Sequence, residues 1–301
     1  MFDVVIIGAG PAGLSAALSL GRFRRSVLIL DGQRPRNARS TGAHNLFSRD
    51  GIHPHELLQI AREQLVPYPT VELRAQEAID IAHDNGTFTV QLQDGSTASA
   101  RYVLFATGVK DILPPIEGIE ELFARSVFHC PYCHGWEAKD KAIAIVANGD
   151  AAIHFAMLLH SLSSNIAICT NGNSEIGSSE LNQLGRLGIN VVETPILRLE
   201  HEERLLKGVR FTDGSFLPRE AIFMRPAQQQ HSLLPAKLGC ALTENGHVVV
   251  DDKGKTSVDG VFAAGDLMSG MQQVIFAASR GAAAAAFINY ELAHRAFYNE
   301  S

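Results

Sequence analysis

The chain has 301 residues, 46% of them hydrophobic and 19% charged, with a formal net charge of −6. That length exceeds a usual single core and predicts two domains, each able to bury ordinary globular apolar content. The acidic balance gives no overall attraction to nucleic acid or to an anionic membrane, and no stretch reaches the roughly 18 uninterrupted apolar residues of a membrane span.

Phe2 to Ile7 reads as a buried parallel strand leading into Gly8-Ala9-Gly10-Pro11-Ala12-Gly13, and a small, apolar helix from Leu14 to Leu20 follows. The run from Val4 to Leu20 has no basic segment ahead of it and is broken by glycines, so it is not read as a signal peptide. With four cysteines and no export signal, a reducing cytoplasm is the expected setting. A second strand, Ser26 to Leu30, ends on Asp31 at the spacing of a dinucleotide-binding unit. The glycines let backbone approach a pyrophosphate, the helix N-terminus favours its charge, and Asp31 can accept from a ribose hydroxyl.

Arg22, Arg24, Arg25, Arg34, Arg36 and Arg39 fit either recognition of phosphates or an acidic partner, or a solvated surface. Arg36 and Asn37, directly after the nucleotide turn, are the pair assigned to the ligand. An amphipathic helix is predicted over Pro54 to Leu65, then a β-meander from Val71 to Ile81 and Thr87 to Leu92 with a turn at Asp94-Gly95. The strand Arg101 to Phe105 closes on Ala106-Thr107-Gly108, and Pro114-Pro115 with Gly118 marks a domain boundary.

Near the middle lies Phe128-His129-Cys130-Pro131-Tyr132-Cys133-His134-Gly135-Trp136. Cys130 and Cys133 can close a small reactive disulfide, and His129 and His134 could each carry a proton near neutral pH. Half of a zinc site is the competing reading. It needs a second ligand pair, whereas Cys169 and Cys240 stand alone in apolar settings that suit buried thiols, so no metal site is assigned.

Strand Ala142 to Val146, turn Ala147-Asn148-Gly149-Asp150, helix Ala151 to Leu162 and strand Asn165 to Thr170 repeat the order of the first unit. The first glycine of the turn is replaced by Ala147, and Thr170 to Asn173 hold neither arginine nor acid for a ribose or its phosphate. Strand Val209 to Phe211, the turn Asp213-Gly214 and strand Ala221 to Met224 continue this unit. From Gly246 the pattern changes to Val248 to Asp251, then Gly260 to Asp266 and a long helix Gln272 to Leu292, read as the return of the first domain. The fold class is therefore α/β with two Rossmann-like domains, the second inserted into the first: 1–113 with 246–301, and 117–243.

In that order, Gly8 to Gly13, Ala106-Thr107-Gly108, Cys130-x-x-Cys133 and Phe262-Ala263-Ala264-Gly265-Asp266 with Gln273 resemble the low-molecular-weight thioredoxin reductase family. The resemblance covers nearly the whole chain. It implies an FAD domain interrupted by a pyridine-nucleotide domain, FAD contacts from Asn45 and Asp266, and a homodimer. It also implies that Cys133 lies closest to the flavin and that Cys130 exchanges with substrate. His134 stands where reductases carry an acid–base aspartate, and the stretch Cys130 to Gly135 is more similar to the gliotoxin- and holomycin-type dithiol oxidases.

Two departures weigh against NADPH. The second glycine turn and its following basic cluster are missing, and Met224-Arg225-Pro226-Ala227 replaces a glycine-histidine-proline-asparagine stretch. Relatives with such losses include nicotinamide-independent, ferredoxin-linked and diflavin forms, the last with a second FAD in the nicotinamide place. The expectation is an FAD-dependent thiol–disulfide oxidoreductase that does not use NADPH in the ordinary way. Its partner is a thioredoxin-like protein or a small dithiol or disulfide, with a ferredoxin-like donor as one candidate source of electrons. An oxygen-using dithiol oxidase, an NADPH-dependent reductase and a flavin redox sensor without turnover remain the alternatives.

Overall fold

The computed structural model describes residues 1–298. The last three residues of the expected 246–301 segment lie outside the described residues. The chain divides into two compact units, one of Met1–Ala38, Asn45–Lys110 and the chain from Gln228 onward, the other of Arg39–His44 with Asp111–Ala227.

In the first unit, strands Val71–Arg74, Val27–Leu30, Phe2–Ile7 and Thr97–Phe105 run parallel in that order, and Val261–Ala263 also pairs parallel with Thr97–Phe105. Val27–Leu30 and Val261–Ala263 are apolar at every position because both faces are covered. One face takes Val4, Ile6, Val27, Ile29, Tyr102 and Leu104 against Ala16, Leu20, Ala284 and Ile288 of helices Pro11–Arg22 and Val274–Phe297. The other takes Val5, Ile7, Leu28, Leu30, Val103 and Phe105. The antiparallel strands Ala78–Asp84 and Thr87–Leu92 cover that side with Ile81, Phe88 and Val90.

In the second unit, Asn190–Val192, Ile166–Cys169, Ile143–Val146, Ala221–Met224 and Val127–Phe128 form a parallel five-stranded sheet. Helix Gly149–Leu159 packs Ala152, Phe155 and Leu159 against Ile143, Ile145 and Ile168 on one face. The antiparallel strands Ile196–Glu202 and Leu205–Phe211 cover Ala144, Cys169 and Ile222 on the other with Leu199, Val209 and Phe211.

Several expectations shift. The expected first strand of the meander splits: Val71–Arg74 joins the parallel sheet beside Val27–Leu30, and only Ala78–Asp84 pairs antiparallel. Val248 makes one isolated bridge to Leu242, and its backbone N–H donates to Leu267. The return to the first unit comes at Gln228, ahead of the expected Gly246, because Leu234, Cys240 and Val248 all pack into that unit's core. The last helix is Val274–Phe297, and among the described residues no helix is long and apolar enough to cross a membrane.

Candidate active site

The first unit builds a nucleotide cradle from the turn after its first strand. Gly8 has φ of 111°, and a Cβ there would stand 2.3 Å from the carbonyl oxygen of Ala106, so only glycine lets the two strand ends meet. A Cβ on Gly13 would lie 1.9 Å from the Gly8 oxygen, whereas one on Gly10 would meet nothing within 4 Å. The middle glycine therefore faces open space at the start of helix Pro11–Arg22. That start has no side-chain cap and no acid in its first turn, leaving its N–H groups and positive end available to an anion.

Asp31, only 8% exposed, accepts from the Gln33 backbone N–H through Oδ1 and from the Arg62 guanidinium through Oδ2, each at 2.8 Å. A carboxylate has about four acceptor positions, so capacity remains for a ribose hydroxyl. Ala106 donates to Ile7 O at 2.8 Å, and the Thr107 hydroxyl is buried with no hydrogen-bond partner among the described residues. Gly108 also takes positive φ. An open glycine turn, an uncapped helix start and an orphaned buried hydroxyl fit a dinucleotide cofactor.

Arg36 donates to Asp266 Oδ2 at 3.0 Å and to Gln272 Oε1 at 2.7 Å. The Gln272 amide exchanges hydrogen bonds with Gln228 at 2.8 and 2.9 Å and donates to Ser269 O at 3.1 Å. The structure thus brings Arg36 and Asp266 together, next to Gly265 with φ of 94°. Gln273 caps the long helix through backbone conformation alone, and its neighbour Gln272 carries the network. Asn37 is half-buried in the turn after Arg36, and Asn45 is exposed, in the left-handed region, with its N–H donating to Asp50 at 2.7 Å.

The second unit holds the sulfur chemistry. Cys130 and Cys133 form a disulfide with Cα atoms 5.2 Å apart, and Pro131–His134 is a single helical turn on which Cys130 is the N-cap, its Sγ accepting from Cys133 N at 3.2 Å. Strand Val127–Phe128 delivers this turn and also orients its histidine, since the His134 ring stacks on Phe128 at 4.7 Å and 14°. Burial, with smaller effects from His129 and His44 opposed by Glu137, lowers the His134 pKa to about 4. The imidazole is neutral across the physiological range.

Its Nε2 lies 3.1 Å from Ser40 Oγ, and its Nδ1 is buried with no partner among the described residues. His44, from the same short segment as Ser40, faces Glu137 Oε1 at 3.3 Å. His129 is half-buried and stacks on Phe123 at 5.9 Å. Neither Ser40 nor His44 is legible as a site residue from the linear sequence, because they stand far upstream of the cysteines and belong to no glycine or cysteine pattern.

The repeated turn of this unit is built differently from the first. Asn148 caps helix Gly149–Leu159: its Oδ1 accepts from Gly149 N and Glu175 N, each at 2.9 Å, and its amide donates to Asn173 O. Asp150 stands in the first helical turn. Cys169 and Cys240 are free and buried, and burial pushes the Cys169 thiol up to about 12.

An open glycine turn in one α/β unit and a cysteine-pair disulfide in the other are features of a disulfide oxidoreductase. The family model for pyridine nucleotide-disulphide oxidoreductases matches residues 2–281, and the chain belongs to that family. A thioredoxin reductase of Gibberella zeae is 32% identical, covering 95% of this chain and 96% of its own. The thioredoxin reductase SirT of Leptosphaeria maculans is 31% identical, covering 97% and 94%. The solved structure of HlmI is 34% identical with a TM-score of 0.94, covering 99% of this chain and 94% of that one. The protein is therefore an enzyme of the thioredoxin reductase-like branch, with two Rossmann-like domains. FAD is the cofactor that family membership implies, and the cradle described above fits it.

Proposed function

We propose that the protein is an FAD-dependent thiol–disulfide oxidoreductase in which an electron pair moves between flavin and the Cys130–Cys133 disulfide, and between that disulfide and an external dithiol. The observation that carries this reading is the disulfide on a helical turn that also holds a half-buried, neutral imidazole at His134. When bound, FAD supplies the two-electron acceptor. Gly8, Gly10, Pro11, Ala12 and Gly13 would hold its pyrophosphate, Asp31 its ribose, and Arg36, Asn37 and Asn45 further parts of the molecule. Ala106, Thr107, Gly108, Gly265, Asp266 and Gln273 would complete the site.

The chain's own part in the chemistry is sulfur exchange and proton handling. A substrate thiolate attacks one sulfur of the pair, by family resemblance Cys130. The Cys130–Cys133 bond breaks with its electron pair on Cys133, and the second substrate thiolate resolves the mixed disulfide. The dithiol becomes a disulfide, and the enzyme disulfide becomes a dithiol with two electrons and two protons gained. His134 handles protons in this exchange, with His129 the weaker candidate.

NADPH in the ordinary place is argued against by the contrast between the two helix starts. The first is open to a phosphate, while the second is closed by Asn148 and made anion-averse by Asp150. The same closure weighs against a second FAD there. A small dithiol or a thioredoxin-like protein is the proposed substrate, and a homodimer the proposed assembly. The test is anaerobic mixing of oxidised holoenzyme with dithiothreitol: flavin bleaching is expected in the wild type and absent in Cys130→Ser and Cys133→Ser. Bleaching at the wild-type rate in both variants would refute the proposal.

A further inference from the structure

Ser40 reaches the disulfide unit from the N-terminal third of the sequence, in the segment Arg39–His44 that belongs to that unit and not to its sequence neighbours. Ser40 is 5% exposed, and among the described residues its Oγ has three polar contacts: the Gly42 carbonyl at 2.7 Å, the Gly42 N–H at 3.4 Å and His134 Nε2 at 3.1 Å. A hydroxyl has one proton. A carbonyl oxygen can only accept, so the 2.7 Å contact with Gly42 requires the Ser40 proton to lie on that line. The Ser40 oxygen then faces Nε2 with a lone pair, and Nε2 must be the nitrogen that carries hydrogen. In the neutral ring the other nitrogen, Nδ1, is left with a bare lone pair, and Nδ1 is the atom that is buried without a partner among the described residues.

We propose that Ser40 is a positioning residue that holds His134 as the Nε2–H tautomer, making Nδ1 the proton acceptor of the thiol–disulfide exchange. This rests on the assignment of His134 to proton handling in the preceding reading. The step balances: an incoming thiol gives its proton to Nδ1, its sulfur bonds to one cysteine of the pair, and the electrons of the broken disulfide leave on the other. The imidazolium then returns the proton to that leaving thiolate. The ring ends neutral, in the tautomer in which it began. His44, paired with Glu137, meets the same ring edge-on with centroids 6.3 Å apart.

The test uses oxidised holoenzyme labelled with ring-15N histidine, with the His134 resonances identified by their loss in His134→Gln. Nitrogen shifts of the Nε2–H tautomer are expected in the wild type and Ser40→Thr, unchanged between about pH 5 and pH 8, and mixed-tautomer shifts are expected in Ser40→Ala. The rate of flavin bleaching by dithiothreitol should fall about tenfold in Ser40→Ala and recover in Ser40→Thr, as loss of one buried hydrogen bond at the reacting group predicts. An Nδ1–H tautomer in the wild type, or an unaltered tautomer and rate in Ser40→Ala, would overturn the proposal. If His134→Gln itself bleaches at the wild-type rate, the assignment of proton handling to His134 fails instead, whichever tautomer is seen.

Discussion

Acidification from about pH 7.5 to about pH 4.5 should cost this protein stability through one identifiable side chain. His134 titrates near 6.5 when unfolded and at about 4 when folded, because the folded chain buries it against Phe128. The unfolded state therefore binds more protons between those values. The stability associated with the neutral ring is complete above about pH 6.5 and is lost as pH falls towards 4. Over the stated drop, linkage gives an upper value of roughly 2–3 kcal/mol. Urea unfolding of the oxidised protein at both pH values, beside His134→Gln, isolates the contribution because other titrating groups are common to both chains. The wild type should lose about 2 kcal/mol more than the variant. Equal losses in the two proteins would show that the ring is not buried neutral and would remove the physical basis for treating it as a base.

Three further outcomes are expected. In the oxidised native protein a thiol reagent should label no cysteine quickly, and after mild reduction it should label Cys130 and Cys133 only, since Cys169 and Cys240 are buried with raised pKa values; mass mapping of the labelled peptides checks this. Asp31→Ala leaves Arg62 without its carboxylate and should lower stability by about 1–3 kcal/mol while weakening flavin retention, measured by urea unfolding and by the flavin-to-protein absorbance ratio. Gly281→Ala should cost about 2 kcal/mol or more in the same unfolding assay, because a Cβ there would stand 2.0 Å from the Ala12 carbonyl oxygen where the two helices cross.

Much of the fold was legible because each nucleotide unit announces itself locally. Continuous apolar runs such as Val4 to Ile7 and Ile143 to Val146 require cover on both faces, which parallel sheets supply. The glycine turn and Asp31 likewise follow from spacing within one short stretch. What escaped reading was set by contacts between distant segments. Val71–Arg74 looked like part of a meander because alternation does not say which edge a strand joins. Ser40 and His44 carry no motif and gain significance only where the chain brings them beside His134, and Gln272 outdoes Gln273 for reasons of side-chain direction that one residue of sequence offset cannot reveal. The replacement of the second turn's first glycine by Ala147 was visible in the sequence, whereas the cap that the Asn148 side chain makes on Gly149 N was not.

The most direct test of the central claim is an anaerobic absorbance titration of the purified flavoprotein with NADPH, then NADH, then a dithiol. Bleaching by dithiol alone is the result that the proposed function predicts, with Asn148 capping the second helix start and the disulfide proposed as the route to the flavin. Full bleaching by one equivalent of NADPH would contradict it and restore an ordinary nicotinamide-dependent reductase.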